Sequence, residues 1–220
     1  MARDNRMRPR TPRGELRTLA AGAAALAVLA IAYSRLLRAP ILTWGATEDE
    51  AARTLPGDDL LADPDIVATR AISIPAPASA VWPWLVQMGP GRGGAYTYDW
   101  IEQRLGIDIH SADRIVPELQ QVGLGDVMQL KPGSPGMRVE VLVPEHAIGW
   151  RAEDGSWVWT FVLIEQGATT RLISRNRIRV GRSLGARLGM LVMEPGSLVM
   201  ERKMLRGIRE RARRPPAPVP

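Results

Sequence analysis

The side chains best suited to chemistry in this sequence lie in one polar stretch, 96–118. In one interpretation a neighbouring carboxylate orients His110 as a general base, and Tyr98 protonates a developing enolate. In the alternative, which we favour, His110 bridges a loop and Asp113 forms a local ion pair with Arg114. If acid–base work is done here, the candidates within 96–114 are Tyr98, Asp99, His110 and Asp113.

The sequence contains no recognised pattern for a metal or cofactor. It has no cysteine and only two histidines, His110 and His146, so thiolate chemistry and the usual zinc-ligand spacings are absent. The glycine-rich stretch 89–94 (GPGRGG) lacks the lysine and hydroxyl pattern of a phosphate-binding loop. We therefore expect no metal, nucleotide or haem.

Tryptophan is used unusually often, with 7 tryptophans against 1 phenylalanine. Alternation along 156–165 puts Trp157 and Trp159 on one strand face, and Asn176 faces inward on the strand at 170–180. Such a set either fills a core or lines an apolar cavity with a few polar groups. If there is a cavity, its predicted ligand-binding residues are Trp84, Met88, Trp150, Trp157, Trp159 and Asn176.

A sheet and several helices must position these side chains. Period-two alternation predicts a strand at 66–74, followed later by strands at 125–130, 138–144, 147–153, 156–165 and 170–180. Helical spacing predicts helices at 76–87 and 98–105 and a long final helix at 185–213, which the prolyl motif at 194–197 should kink or break. This order indicates an α+β class with a curved antiparallel sheet and one long helix across it.

The same patterns predict how the sheet and the final helix are covered. A row of arginines, on the strand face opposite Asn176, should form a solvated outer surface: Arg171, Arg175, Arg177 and Arg179. The apolar residues of the final helix should lie across the sheet: Leu188, Leu191, Val192, Leu198, Met204, Leu205 and Ile208. Four methionines of that helix should either offer adaptable surface to a cavity or fill gaps in the core: Met190, Met193, Met200 and Met204.

An uncharged apolar run from Thr18 to Ser34 (TLAAGAAALAVLAIAYS) precedes the folded part. As a helix it would span about 25 Å, the short end of what a bilayer core requires. Arg35 and Arg38 could reach the headgroups and extend the span to 18–38. A cleaved signal peptide is the alternative, but no small-residue cleavage site follows the run. We therefore predict a retained single-pass anchor.

The formal charge of +6 is concentrated in the two tails. Residues 1–17 sum to +4 and residues 201–220 to +5, which leaves −3 for residues 18–200. The arginines before the anchor predict a cytoplasmic N-terminus and an extracytoplasmic domain at the cell membrane. Lipid headgroups are the expected partner of these tails, and nucleic acid is not, because the aromatic residues lie elsewhere.

The chain therefore divides into five predicted parts. About 180 residues follow the anchor, enough for one domain with a sizeable core. The parts are a basic N-terminal tail (1–17), a transmembrane anchor (18–38), a connecting segment (39–65), a folded domain (66–213) and a disordered proline-rich tail (214–220).

A resemblance to a known superfamily covers about residues 43–213. The phrase VATRAISIPAPASAVWPWLVQMG (67–89) resembles the first strand and following helix of the START-like, birch-allergen-like superfamily called SRPBCC, which includes polyketide cyclases/dehydrases. The phrases GRGGAYTYDWIE, DIHSADRIVPE and MERKMLRGIRERA resemble a membrane-anchored, actinobacterial-type branch of it. The resemblance implies a helix-grip fold, in which seven antiparallel strands wrap around a long C-terminal helix and enclose a hydrophobic cavity.

The resemblance does not by itself determine a function, because this superfamily contains both carriers and enzymes. The leading hypothesis is a membrane-anchored domain that binds a hydrophobic small molecule or lipid in its cavity. The second is an enzyme of the cyclase/dehydrase type that uses the acid–base residues at 96–114. The third is an envelope scaffold whose outer face binds another protein.

Overall fold

The structure is a computed structural model that describes residues 20–22, 24, 28, 31–131 and 133–214. The chain forms two compact units, Met1–Pro40 and Ile41–Pro220. In the first, a π-helical turn spans Tyr33–Leu37. Among the described residues, no helix combines the length and the apolar character needed to cross a bilayer. The predicted anchor at 18–38 lies partly, and the predicted tail at 214–220 almost entirely, outside the described residues, and both stay predictions.

The second unit consists of one sheet with helices on it. In chain order the elements are α1 (Arg38–Leu42, which begins in the first unit), α2 (Glu48–Ala52), β1 (Ile66–Ile74), α3 (Ala78–Val86), α4 (Asp99–Arg104), β2 (Val127–Gln129), β3 (Gly136–Val143), β4 (Ala147–Ala152), β5 (Trp157–Gln166), β6 (Thr169–Ile178) and α5 (Leu184–Ala212). Short 3₁₀ turns lie at Asp58–Leu61 and Pro117–Leu119. Each strand and helix predicted from 66 onward is present, with its ends shifted by a few residues.

The strands form a single curved antiparallel sheet in the order β1-β6-β5-β4-β3-β2. The first strand therefore pairs with the last one, with Ile66 opposite Ile178 and Ile74 opposite Thr170. Helix α5 contacts β1 and α3, so the sheet and the long helix form the predicted α+β helix-grip arrangement. The resemblance implies seven strands, whereas the described residues form six.

The main core lies between the inner face of the sheet and the helices α3 and α5. Phe161 and Leu172 from the strands, Leu85 from α3, and Leu205 and Ile208 from α5 are fully buried there. Gly207 lets α5 approach this core closely, because a Cβ at that position would lie 2.6 Å from the carbonyl oxygen of Tyr96. The alternation of β5 and β6 therefore identified the inward face correctly.

Helix α5 differs from its prediction in two ways. It continues through Pro195, so of the two predicted effects of 194–197, a kink or a break, the break is wrong. A proline removes one helical hydrogen bond, and here the hydroxyl of Ser197 donates to the carbonyl oxygen of Glu194 at 2.8 Å. The predicted apolar set is also buried only in its second half, since Leu188 is 54% exposed and Val192 is 75% exposed.

Most of the arginine row on the outer face of the sheet is covered, so the prediction of a solvated outer surface is wrong. Residues 47–61 pack across this face, where Leu55 joins Val162 and Ile173 in a small apolar cluster. Arg175 lies beneath them with only 3% of its side chain exposed. Of the predicted row, Arg179 alone belongs to the exposed class among the described residues.

Ion pairs hold the 47–61 segment on the sheet. Thr47 caps α2 in a capping box with Glu50. Glu50 also pairs with Arg171 at 2.7 Å, and the Arg171 guanidinium holds the pKa of this carboxyl below its ordinary value although burial opposes the shift. Asp58 pairs with Arg175 at 2.7 Å and with Arg177 at 3.4 Å. The outer face is therefore a covered, charge-paired interface within the domain.

Candidate ligand cavity

A cavity of about 500 Å³ lies between the inner face of the sheet, α4 and α5. Five of the six predicted ligand-binding residues line it: Met88, Trp150, Trp157, Trp159 and Asn176. So do all four methionines of α5 for which the sequence left a cavity wall or core gap filling open: Met190, Met193, Met200 and Met204. The strand alternation and the helical spacing thus identified side chains that line the same cavity.

The aromatic wall of the cavity is built by neighbouring strands. The rings of Trp157 and Trp159 stack with their centroids 5.7 Å apart, and the ring of Trp150 lies 6.2 Å from that of Trp159. Trp84, the sixth predicted residue, is not part of this wall. It is buried in the core, where its ring meets Tyr96 edge-on at 5.8 Å and its carbonyl oxygen accepts the Tyr96 hydroxyl.

Beneath the aromatic wall lies a buried ion pair between Arg70 of β1 and Glu201 of α5. Arg70 is 1% exposed, and its guanidinium also donates to Ser197 at 3.0 Å and to the carbonyl oxygen of Ile41 at 3.1 Å. Glu201 accepts further hydrogen bonds from Ser174 and Asn176. The pair therefore joins the first strand, the last strand and the long helix.

The indole nitrogens tie the tryptophans to this polar network. Trp159 donates to the hydroxyl of Ser174 at 3.0 Å, and Trp157 donates to the amide oxygen of Asn176 at 2.8 Å. Ser174 and Asn176 in turn reach Glu201. Since buried indole N–H groups require acceptors, the network fixes the orientation of both rings and hence the shape of the cavity wall.

Two opposing effects act on the charge of Glu201. Burial raises the pKa of its carboxyl, while the charge of Arg70 and the hydrogen bonds from Ser174, Arg70 and Asn176 act to lower it. The sequence prediction missed this pair. The available signal was Arg70 itself, which shares a strand face with Ile72 and Ile74 and is the one charged residue on that apolar face.

The four predicted acid–base residues do not line the cavity. His110 is largely exposed, with 79% of its side chain accessible, and lies 3.6 Å from Asp108. Asp99 accepts hydrogen bonds from the backbone and the hydroxyl of Ser111, at 2.8 and 2.6 Å. These contacts hold the 98–111 loop together, as in the favoured alternative.

Tyr98 and Asp113 contact helix α5 from outside the cavity. The ammonium of Lys203 lies 5.9 Å from the centre of the Tyr98 ring. Asp113 pairs with Arg211 at 3.0 Å, rather than with the predicted neighbour Arg114. The structure therefore separates the four candidates from the tryptophan wall instead of gathering them beside it.

Glu102 is the acidic residue of the 96–114 stretch that lines the cavity. One of its carboxyl oxygens is buried without a hydrogen-bond partner, and so is the hydroxyl of Thr97 on the same wall. Burial is the main cause that raises the pKa of Glu102, and the charge of Asp99 adds to it, whereas the nearby Thr97 hydroxyl opposes it. The cavity thus contains a carboxyl group that keeps its proton more readily than a solvent-exposed carboxyl group does.

Comparisons with known proteins give structural neighbours only. No family model matches the chain, and no curated protein matches it either. Among solved structures, the chain is similar to DynU16, a putative protein of the dynemicin biosynthetic locus, with 18% identity and a TM-score of 0.42 over 69% of this chain. The chain spans only 51% of the length of DynU16.

Two further neighbours are KanY and a Polyketide_cyc-like protein. KanY has 12% identity and a TM-score of 0.43, over 67% of this chain and 97% of its own. The Polyketide_cyc-like protein Cgl2372 from Corynebacterium glutamicum has 16% identity and a TM-score of 0.35, over 65% and 88%. One of these neighbours is therefore named Polyketide_cyc-like. At these values we infer no activity from them.

Proposed function

We propose that this chain is a membrane-anchored domain that binds a hydrophobic small molecule or lipid in its internal cavity. The observation that carries the proposal is the cavity of about 500 Å³ walled by tryptophan and methionine. This volume lies within the usual range for small-molecule sites, which are mostly apolar with a few fixed polar groups. An envelope scaffold would require no such cavity.

The two walls of the cavity suit a carrier. On the sheet side, Trp157 and Trp159 are held rigidly by hydrogen bonds from their indole nitrogens. On the helix side, the flexible thioethers of Met190, Met193 and Met200 can repack around ligands of different shape. A rigid aromatic wall that faces an adaptable one favours an apolar ligand of variable outline.

The membrane part of the proposal depends on the sequence. The uncharged run at 18–34 and its flanking arginines support a single-pass anchor with a cytoplasmic N-terminus. A reporter fused after Pro220 that is active only in the cytoplasm would overturn this orientation. Recovery of the full-length protein in the soluble fraction would overturn the anchor.

Native mass spectrometry of the full-length protein, followed by organic extraction, should reveal a bound apolar molecule. Replacing Met200 by tryptophan should narrow the cavity and lower the occupancy by about tenfold or more, because the added ring takes part of the space of the ligand. Val143→Trp is the matched control, since Val143 is exposed at the end of β3 and lies outside the cavity.

Equal occupancy in the two tryptophan variants would show that any bound molecule lies elsewhere. The melting temperature of Met200→Trp must be measured alongside, because overpacking a core costs about 1–3 kcal/mol. A wild-type protein that carries no extractable molecule and binds no hydrophobic fluorescent probe would contradict the proposal.

A second candidate is an enzyme of the cyclase/dehydrase type, and Glu102 is the observation that favours it. This carboxyl lines the cavity and its burial raises its pKa, which are the properties of a general acid. Glu102→Gln should leave the occupancy unchanged and abolish any change in mass of the bound molecule during incubation. Glu118→Gln, at an exposed position, is the control. An unchanged mass together with an unchanged chromatographic retention of the ligand after incubation with wild-type protein would exclude this candidate for that ligand, since a cyclisation without loss of water leaves the mass unchanged.

A further inference from the structure

The first three turns of α5 expose an apolar stripe that the fold does not use. Four of its side chains, one or two per turn, are largely accessible: Leu184 (73%), Leu188 (54%), Leu191 (38%) and Val192 (75%). Positions three and four apart lie on one side of a helix, so these residues form a single continuous surface. These four residues are the apolar stripe.

Positive charge accompanies the apolar stripe. Residues 179–193 contain three arginines, Arg179, Arg182 and Arg187, and no acidic residue. All three arginines are exposed. A helix with an exposed apolar side and flanking arginines is typical of segments that lie in the interface of an anionic membrane.

The same three turns of α5 also border the cavity. Met190 and Met193 line it. Met193 is also 61% exposed, so the cavity reaches the surface at this part of α5. At about 100° per residue the two methionines lie on the side of the helix opposite the apolar stripe, so one side of the helix faces the ligand space while the opposite side faces outward.

We propose that the apolar stripe docks on the surface of an anionic lipid bilayer. The charge selects this occupant over a second copy of the chain, since two copies joined through their stripes would bring the same three arginines face to face. An anionic headgroup layer instead neutralises Arg182 and Arg187 while the leucines enter the acyl boundary.

Docking would hold the first three turns of α5, and with them the end of the cavity that Met193 borders, near the bilayer surface. The proposed function concerns the molecule inside the cavity, whereas the contact with lipid does not depend on it. The two can therefore fail separately.

The absence of natural cysteines allows a direct test. Val192→Cys in the full-length chain is labelled with an environment-sensitive fluorophore and reconstituted in phosphatidylcholine vesicles with or without phosphatidylglycerol. In the anionic vesicles the emission should shift to shorter wavelength and be quenched by spin-labelled lipid. Val143→Cys, another exposed valine outside the stripe, should show neither change.

Charge provides the second arm of the experiment. Replacing Arg182 and Arg187 by glutamine should lower the docked-to-undocked ratio by roughly tenfold or more, and high salt should have a similar effect. Water-like emission at position 192 in anionic vesicles would overturn the proposal. A shift without lipid quenching would overturn it too, since another protein segment or a second copy would then cover the stripe.

Extractable ligand is measured on the same preparations. Lipid quenching at position 192 with an empty cavity would support the docking surface and contradict the proposed function. A filled cavity without lipid quenching would do the reverse.

Discussion

Arg70→Met should lower the free energy of unfolding by about 3–5 kcal/mol at neutral pH, because it leaves the carboxylate of Glu201 buried without its cation. Arg70 and Glu201 are both almost fully buried, and Arg70 also holds Ser197 and the backbone at Ile41. Denaturant unfolding of the full-length protein, followed by tryptophan fluorescence, measures the loss. The same spectra should report displaced indoles at Trp157 and Trp159.

The pH dependence of this loss follows from the direction of the Glu201 shift. Burial raises the pKa of Glu201, and without Arg70 less opposes that rise. The folded state then favours the neutral acid. The stability that this preference contributes is fully present below the unfolded pKa of about 4.3. The destabilisation of Arg70→Met should therefore be small near pH 4 and grow as the pH rises through the folded pKa.

A double variant distinguishes the loss of the partner charge from the loss of side-chain packing. Arg70→Met combined with Glu201→Leu removes both charges, so it should recover most of the lost stability. A single variant that costs less than about 1 kcal/mol at neutral pH would contradict the prediction. So would a double variant as unstable as the sum of its parts.

Arg175→Met should cost about 3 kcal/mol or more and release the 47–61 segment from the outer face of the sheet. The guanidinium donates to three backbone carbonyls of this segment and pairs with Asp58 at 2.7 Å. Removing it leaves these acceptors buried without a donor. Hydrogen exchange should increase at 47–61 while the strands β4 and β5 stay protected.

Arg179→Met is the matched control, because Arg179 belongs to the same strand-face row but is exposed. Its effect should be within about 0.5 kcal/mol. Equal losses in the two variants would show that charge on this row, rather than the buried contacts of Arg175, stabilises the fold. Unchanged exchange at 47–61 would show that the segment is held by Leu55 and its apolar neighbours instead.

The strands and their faces could be predicted because side chains alternate along a strand whatever covers it. Trp157, Trp159 and Phe161 fall on the inner face, and Asn176 joins them from the next strand. The cavity lining could be predicted for the same reason. Trp84 is the exception, since it was grouped with the other tryptophans but lies on α3, where it is buried against Tyr96.

The alternation of side chains along a strand does not show which segment of the chain covers each face of the sheet. Arg171 and Arg175 look like a solvated row in the sequence, and only the path of residues 47–61 brings Glu50 and Asp58 over them. Likewise the apolar positions of α5 share a periodic pattern, but only those from Met204 onward are buried. Long-range contacts of this kind depend on the topology.

The pairing of the first strand with the last affects the order of events during synthesis. β1 leaves the ribosome about 100 residues before β6, its neighbour in the sheet, and α5 follows later still. Until then the apolar residues of Ile66–Ile74 have no neighbouring strand and expose an edge that favours aggregation. Contacts so distant along the chain also make folding slow, on the scale of milliseconds to seconds. A nascent chain stalled near residue 168 would therefore be a substrate for chaperones, whereas one extended past residue 212 would not.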